Sequence, residues 1–70
     1  MKISARNNIK GTIVEIKEGT VNCIVVIDIG GGNKISATIS MDAIAELGLK
    51  AGSQAYAIIK ATSVMVGVDG

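Results

Sequence analysis

The sequence contains no His, no Pro, no Phe and no Trp, and it has a single Cys among its 70 residues. Without His the usual zinc ligand sets cannot be assembled, and one Cys cannot close a disulfide within the chain. The segments Ser4–Gly11 and Lys60–Ser63, which concentrate hydroxyls, amides and cations, contain no paired carboxylates and no nucleophile beside a base, so they lack the parts needed for acid–base or covalent catalysis. These absences favour binding over catalysis, and we expect no enzyme activity and no bound metal cation.

The charge is nearly balanced, with seven basic and six acidic residues and a formal net charge of +1. Nucleic-acid-binding domains normally carry a basic stripe, and those that bind single strands stack bases on aromatic side chains, which Tyr56 alone cannot supply. The chain also lacks an apolar run of about 18 residues and a cleavable leader. We expect no nucleic-acid partner, no membrane association and, given the lone thiol, a cytoplasmic location.

Apolar residues make up 49% of the chain, and small aliphatic side chains dominate them. A domain of this size buries only about 60% of the surface that its unfolded chain exposes. Without disulfides or metals, the usual way to stabilise so small a core is self-association. We therefore expect an obligate homo-oligomer with a sizeable apolar contact patch.

Alternating β-branched residues predict strands over most of the chain, with one short helix between them. Ser40 is a good N-cap for this helix and Gly48 a good stop, while the glycines Gly30–Gly32 favour a hairpin loop over a phosphate cradle. Gly11 predicts a bulge or a point of close approach. The predicted strands are Asn8–Lys17, Val21–Ile29, Lys34–Ile39, Gln54–Lys60 and Ser63–Val68, and the predicted helix is Met41–Leu47.

The resulting order β-β-β-α-β-β describes an all-β fold with one short helix and a single domain over residues 1–70. A five-stranded barrel of the oligonucleotide/oligosaccharide-binding (OB) type fits this order. In the second strand, the pattern places Val21, Cys23, Val25, Ile27 and Ile29 on one face. The middle of the opposite face is also apolar, which predicts that both faces are covered, one of them by a neighbouring subunit.

Two short segments, Ser4–Gly11 and Lys60–Ser63, combine hydroxyls, amides and fixed cations and contain no carboxylate. Arg6 offers a rigid planar fork to an anion and Lys60 a mobile point charge. Each residue alone is typical of an ordinary solvated surface. Together they form a set of donors that suits a small oxyanion, and the start of the helix at Ser40 is a third candidate that an ordinary cap explains equally well.

Four segments carry a resemblance to a known family: Ser4–Asn7 with Gly11, Gly30–Ile35, Glu46–Gly52 and Lys60–Val64. In these segments the chain resembles the molbindins, or Mop family, small cytoplasmic molybdate-binding proteins of the TOBE/OB-like type. The resemblance covers essentially the whole chain. It implies an OB-like barrel, a homohexamer built as a trimer of dimers, and oxyanions held at the subunit interfaces.

The resemblance also implies the function and the site. The function is binding and storage or buffering of molybdate, with tungstate not distinguished from it and no cofactor required. Ser40 and Ala43 are implied to reach the anion from a neighbouring chain. Some relatives have Ser at the position of Ala43, but the side chain of Ala has no hydrogen-bond donor, so Ala43 can contribute only its backbone N–H. The remaining implied ligands are Ser4, Ala5, Arg6, Lys60, Ala61 and Thr62, and Thr20, Val21 and Asn22 are the candidates for a second class of anion site.

Two other functions stay open from the sequence. One is an OB-type nucleic-acid-binding module, which the balanced charge and the missing aromatic side chains disfavour. The other is a structural oligomerisation module whose anion site no longer functions.

Overall fold

The computed structural model describes residues 6–70, so the predicted ligands Ser4 and Ala5 lie outside the described residues. The structure is a small, mostly β domain with one short helix. Its elements are β1 (Asn7–Glu18), β2 (Asn22–Gly30), β3 (Asn33–Ser40), α1 (Met41–Leu47) and β4 (Gln54–Ile59), followed by a single 3-10 turn at Ala61–Ser63.

The four strands form one antiparallel sheet in the order β3-β2-β1-β4. Strand β1 is long and pairs with two different strands along its length. Its first part, Asn7–Thr12, pairs with β4, and the part from Thr12 to Glu18 pairs with β2. The register shifts between Ile13 and Glu15, which is a β-bulge, and bulges bend and twist the strand that carries them. The sheet is therefore curled into a half-barrel around its inner face.

The core lies on this inner face. The alternation in β2 buries Cys23, Val25 and Ile27, as the sequence predicted, and Val25 and Ile27 pack with Ile13 of β1 and Ala57 of β4. Ile29 is half-buried against this cluster, whereas Val21 lies before the strand and is exposed, so its predicted place on the buried face is wrong. On the opposite face of β2, an apolar side chain stays exposed: 41% of the Ile24 surface is open to solvent. Within residues 6–70, no other element packs fully over Ile24 on that face.

Gly11 is a point of close approach and not the bulge, which falls two residues later. A Cβ built on Gly11 would lie 2.5 Å from the carbonyl oxygen of Asp28 and 2.6 Å from Cγ2 of Ile27. Because real Cβ atoms do not approach backbone oxygen so closely, only glycine lets β1 and β2 lie side by side here.

The hairpin between β2 and β3 is confirmed. Gly30, Gly31 and Gly32 all have positive φ, at 95°, 63° and 80°, which glycine adopts without a steric penalty. The carboxylate of Asp28 accepts a hydrogen bond of 2.9 Å from the N–H of Gly30 and fixes the start of the loop.

Helix α1 has the predicted bounds and caps. Ser40 is in an extended conformation, and its Oγ accepts the N–H of Ala43 at 3.1 Å. Gly48 takes the left-handed conformation at φ 63°, and its N–H bonds to the carbonyl of Ala45 while Leu49 N–H bonds to that of Ile44. Among residues 6–70 no helix has the length and apolar character to cross a membrane.

The predicted fifth strand, Ser63–Val68, is wrong for the single chain. Ala61–Ser63 forms the 3-10 turn, and residues 64–70 have no regular secondary structure. Met65 and Val66 are 93% and 92% exposed. A strand needs a neighbour for its backbone groups, and the sheet of the described residues ends at β4 without pairing this segment. Residues 6–70 form four strands, and the barrel they build stays open.

Candidate oxyanion-binding site

The β1–β4 ladder brings the two donor segments together. Its outermost pair is Asn7 with Ile59, so Arg6 immediately precedes that pair on one strand and Lys60 immediately follows it on the other. Because antiparallel neighbours run side by side, the two cations occupy adjacent positions at this end of the sheet. Both residues are exposed.

The turn after β4 places further donors beside Lys60. The carbonyl of Lys60 accepts the N–H of Ser63 at 2.9 Å, and that of Ala61 accepts the N–H of Val64 at 3.3 Å. The first N–H groups of a helical turn have no partner within the turn, which applies here to Ala61 and Thr62. Backbone donors therefore lie next to the two cations.

The surroundings of this cluster carry no negative charge along the paired strands. The ladder from Asn7 to Thr12 and from Gln54 to Ile59 contains no Asp or Glu, and Lys10 opposite Tyr56 adds a further positive charge. The sequence analysis included Lys10 in the N-terminal donor segment but assigned it no role. Its position on this ladder became evident only from the pairing register of β1 with β4. An anion at this end of the sheet meets attraction without a competing carboxylate.

Ser40 lies elsewhere in the chain. It pairs with Asn22, and β2 meets β1 at the pair of Glu18 with Cys23. These residues therefore lie at the end of β1 opposite to Arg6. At about 3.3 Å per residue, the length of β1 separates the two ends by up to roughly 36 Å. One chain cannot place Ser40 beside its own Arg6.

Ser40 instead lines a cleft of about 340 Å³ with mixed polar and apolar walls, together with residues of the turn before β2. The N–H of Met41 bonds to the carbonyl of Val21 at 3.2 Å and holds the helix start against that turn. The sequence candidates for a second anion site thus share one region with Ser40. The cleft is lined by Thr20, Val21, Ser40, Met41 and Asp42.

Among residues 6–70 of one chain, neither cluster by itself encloses an anion. Arg6 and Lys60 are open to water, and in the cleft the N–H of Ala43 is already bonded to Ser40 while Asp42 contributes a carboxylate. Within residues 6–70 no group of His, Cys, Asp and Glu side chains could hold a metal ion. The donors that are present suit an oxyanion.

A curled β domain with such a donor set is a small ligand-binding domain, and comparison with known proteins identifies its family. Residues 3–66 match the TOBE domain, and the chain belongs to the TOBE-domain family. It is 65% identical over 69 residues to the probable molybdenum-pterin-binding protein of Haemophilus influenzae, a match covering 99% of this chain and 100% of that protein. The resemblance to the Mop family is thereby confirmed.

Solved structures agree with the fold. A molybdate-binding protein from Sporomusa ovata is similar with a TM-score of 0.89 and 40% identity, covering 97% of this chain and 100% of the other. The cytoplasmic molybdate-binding protein ModG, in a form with molybdate bound, gives a TM-score of 0.92 and 43% identity. That match covers 99% of this chain and 49% of ModG, so this chain spans about half of that protein.

Proposed function

We propose that this protein binds molybdate as a tetrahedral dianion and stores or buffers it in the cytoplasm without catalysing a reaction. The observation that supports this most is the pairing of Asn7 with Ile59, which sets Arg6 beside Lys60 in a carboxylate-free end of the sheet. A similar solved structure is described as molybdate-binding, and the relative from Haemophilus influenzae as molybdenum-pterin-binding, which names the same metal. Tungstate has the same shape and charge and is expected to bind at the same place.

The chemistry of the ligands fits such an anion. The guanidinium of Arg6 can donate two parallel hydrogen bonds to two oxygens, and Lys60 adds a charge that adjusts its position. The N–H groups of Ala61 and Thr62, with Ser4 and Ala5 of the N-terminal segment, complete one half of the coordination. None of these donors requires a cofactor.

The other half of the site comes from a second copy of the chain. A dehydrated dianion is costly unless several charge-assisted donors surround it, and one chain offers only an exposed cluster. Ser40 and the backbone at Ala43 lie too far away to serve their own Arg6, so we assign them to the site of a neighbour. The N–H of Ala43 must then be shared between Ser40 and the anion.

We propose a homohexamer, arranged as a trimer of dimers. Each chain forms one domain over residues 1–70, and its OB-like barrel is completed in the assembly. Exposed apolar side chains supply contact surface: Val21 is 71% exposed and Ile24 41%. We assign a second class of anion site in this assembly to Thr20, Val21 and Asn22: Thr20 and Val21 line the cleft, and Asn22 pairs with Ser40 beside it.

Calorimetric titration of the purified protein with molybdate, tungstate, sulfate and phosphate tests the function. We expect saturable binding of molybdate and tungstate, and weaker binding of sulfate and phosphate. The absence of any saturable binding of molybdate, in a protein shown by circular dichroism to be folded, would contradict the proposal.

A further inference from the structure

Lys10 is a cation of the β1–β4 ladder that the proposed anion site does not use. It pairs with Tyr56, and the register continues without a shift from this pair to the end of the ladder. Side chains alternate between the two faces of a sheet, so residues an even number of positions apart share a face. Lys10 is four positions from Arg6, and the register continued by one pair sets Lys60 opposite Arg6. The three cations therefore share one face of the ladder, which we call the basic face.

The neighbours of Lys10 on the basic face carry no charge that would neutralise it. Asn8 and Thr12 are two positions away on either side along β1. The residues of β4 on the same face are Gln54, Tyr56 and Ile58. Because Lys10 is also exposed, its field extends into the solvent from which an anion approaches the end of the sheet.

The nearest carboxylate by register is Asp28 of β2, which pairs with Thr12 from the other side of β1. This carboxylate has partners of its own. Its Oδ1 accepts the N–H of Gly30 at 2.9 Å, and Lys34 of β3 pairs directly opposite it. Cross-strand neighbours of opposite charge attract each other, so Lys34 offsets the charge of Asp28. The positive charge of Lys10 is left to act toward Arg6.

Distance and salt limit what Lys10 can contribute. Four residues of extended strand, at about 3.3 Å each, put it about 13 Å from Arg6, and side chains that stand perpendicular to the sheet keep that separation. In water a unit charge at about 13 Å changes the attraction of a dianion by about threefold in an equilibrium or rate constant. Screening reduces this to about twofold at an ionic strength of about 0.01 M and to about 1.2-fold at about 0.15 M.

We propose that Lys10 is a guide residue: it attracts the oxyanion along the basic face and speeds its entry to Arg6 and Lys60 without contacting the bound ion. This inference rests on the oxyanion binding proposed above. A charge beside the path of a ligand raises the association rate, and the effect falls with ionic strength. A residue that contacts the bound ion acts instead on the dissociation rate, and screening reduces its effect much less.

Charge variants of Lys10 in the full-length protein test the guide role. Calorimetric titration gives the dissociation constant, and release of radioactive molybdate into excess unlabelled molybdate gives the dissociation rate, so their ratio gives the association rate. At an ionic strength of about 0.01 M, association should slow about twofold in Lys10→Ala and about fourfold in Lys10→Glu, with dissociation unchanged. At about 0.15 M the effect of Lys10→Glu should shrink to about 1.5-fold. Lys10→Arg keeps the charge and should associate normally.

Lys50→Glu is the matched control, because it changes the net charge by the same amount at another exposed lysine. The carbonyl of Lys50 accepts the N–H of Ser53, and the carbonyl of Ser53 accepts the N–H of Ile13. Lys50 therefore lies beside the middle of β1, about seven residues or 23 Å along the strand from Arg6. At this distance the same change of charge should slow association less than about twofold at about 0.01 M.

The outcomes separate the guide role from the function. Normal association of Lys10→Glu at low ionic strength, or equal slowing in Lys50→Glu, would overturn the guide role while molybdate binding by the unmodified protein upholds the function. Faster dissociation of Lys10→Glu that persists at about 0.15 M would make Lys10 a ligand and also overturn the guide role. A folded, unmodified protein that binds no molybdate would remove the function and the guide role together.

Discussion

Asn7 of β1 and Ile59 of β4 form the outermost pair of their antiparallel ladder. The pair itself contributes no charge, but the residue before it on one strand is Arg6 and the residue after it on the other is Lys60. Two segments that are more than fifty positions apart in the sequence are thereby held side by side. The affinity for an oxyanion and the stability of this ladder should depend on each other.

Removing either cation should weaken binding and leave the fold intact. We expect Arg6→Ala and Lys60→Ala each to cost about 1.5–3 kcal/mol of binding free energy, roughly 10- to 150-fold in the dissociation constant, the range of a charge-assisted hydrogen bond. Titration calorimetry measures the loss. Lys34→Ala, an exposed cation beside the β2–β3 hairpin loop and outside both proposed anion sites, is the matched control and should bind like the unmodified protein.

The geometry of the guanidinium should matter as well as its charge. Arg6→Lys keeps the charge but loses the planar fork, so its affinity should lie between those of Arg6→Ala and the unmodified protein. Full recovery of affinity in Arg6→Lys would show that Arg6 acts through charge alone. Unchanged affinity in Arg6→Ala would remove the residue from the site.

Gly11→Ala should destabilise the fold by about 1–3 kcal/mol, the usual range for overpacking, because its Cβ meets the backbone oxygen of Asp28 at 2.5 Å. Chemical denaturation followed by circular dichroism measures the free energy of unfolding. Gly67→Ala is the control, since a Cβ there meets nothing within 4 Å. Equal stability of the two variants would contradict the close approach of β1 and β2.

Substitutions of Ser40 should separate its role as a helix cap from a role in binding. Ser40→Ala loses the bond to Ala43 and should lower the stability by about 0.5–2 kcal/mol. Ser40→Asp retains a capping oxygen, so the stability should remain close to normal, but its negative charge should weaken molybdate binding if Ser40 faces a neighbour's anion. Normal affinity of Ser40→Asp would restrict Ser40 to capping.

The affinity should be nearly independent of pH between about pH 6 and pH 8. The side chain that ordinarily changes charge in this interval is His, and the sequence contains none. Dissociation constants measured at pH 6, 7 and 8 and constant ionic strength should agree within about fivefold, close to 1 kcal/mol. A steeper change would reveal a titrating group in the site.

Local sequence signals were sufficient for most of the fold. The helix bounds followed from Ser40 and Gly48, the hairpin from three consecutive glycines, and the buried face of β2 from strict alternation. The bulge between Ile13 and Glu15 was not found, although the burial pattern changes phase there, from Ile13 to Ile16, where the pairing with β2 shifts. Of the two alternatives predicted for Gly11, a bulge or a point of close approach, the structure confirms the close approach.

The fifth strand and the site depend on contacts between residues that are far apart in the sequence or belong to different chains. Residues 63–68 have strand character, but a strand forms only where another backbone lies beside it, and the single chain supplies none. The sequence grouped Arg6 with Lys60 by composition, and the register of β1 with β4 gave that grouping a physical basis. Which donors come from a second chain could not follow from the pattern of one chain.

Native mass spectrometry of the intact assembly, recorded with and without molybdate, tests the central claim most directly because it counts chains and anions in the same particle. We expect an assembly of six chains that binds a defined number of molybdate ions. In Arg6→Ala we expect this binding to be lost while the assembly of six chains remains. A 7.1 kDa monomer that binds molybdate unaided, or an assembly whose uptake is the same in Arg6→Ala, would contradict an interface site built on Arg6 and Lys60.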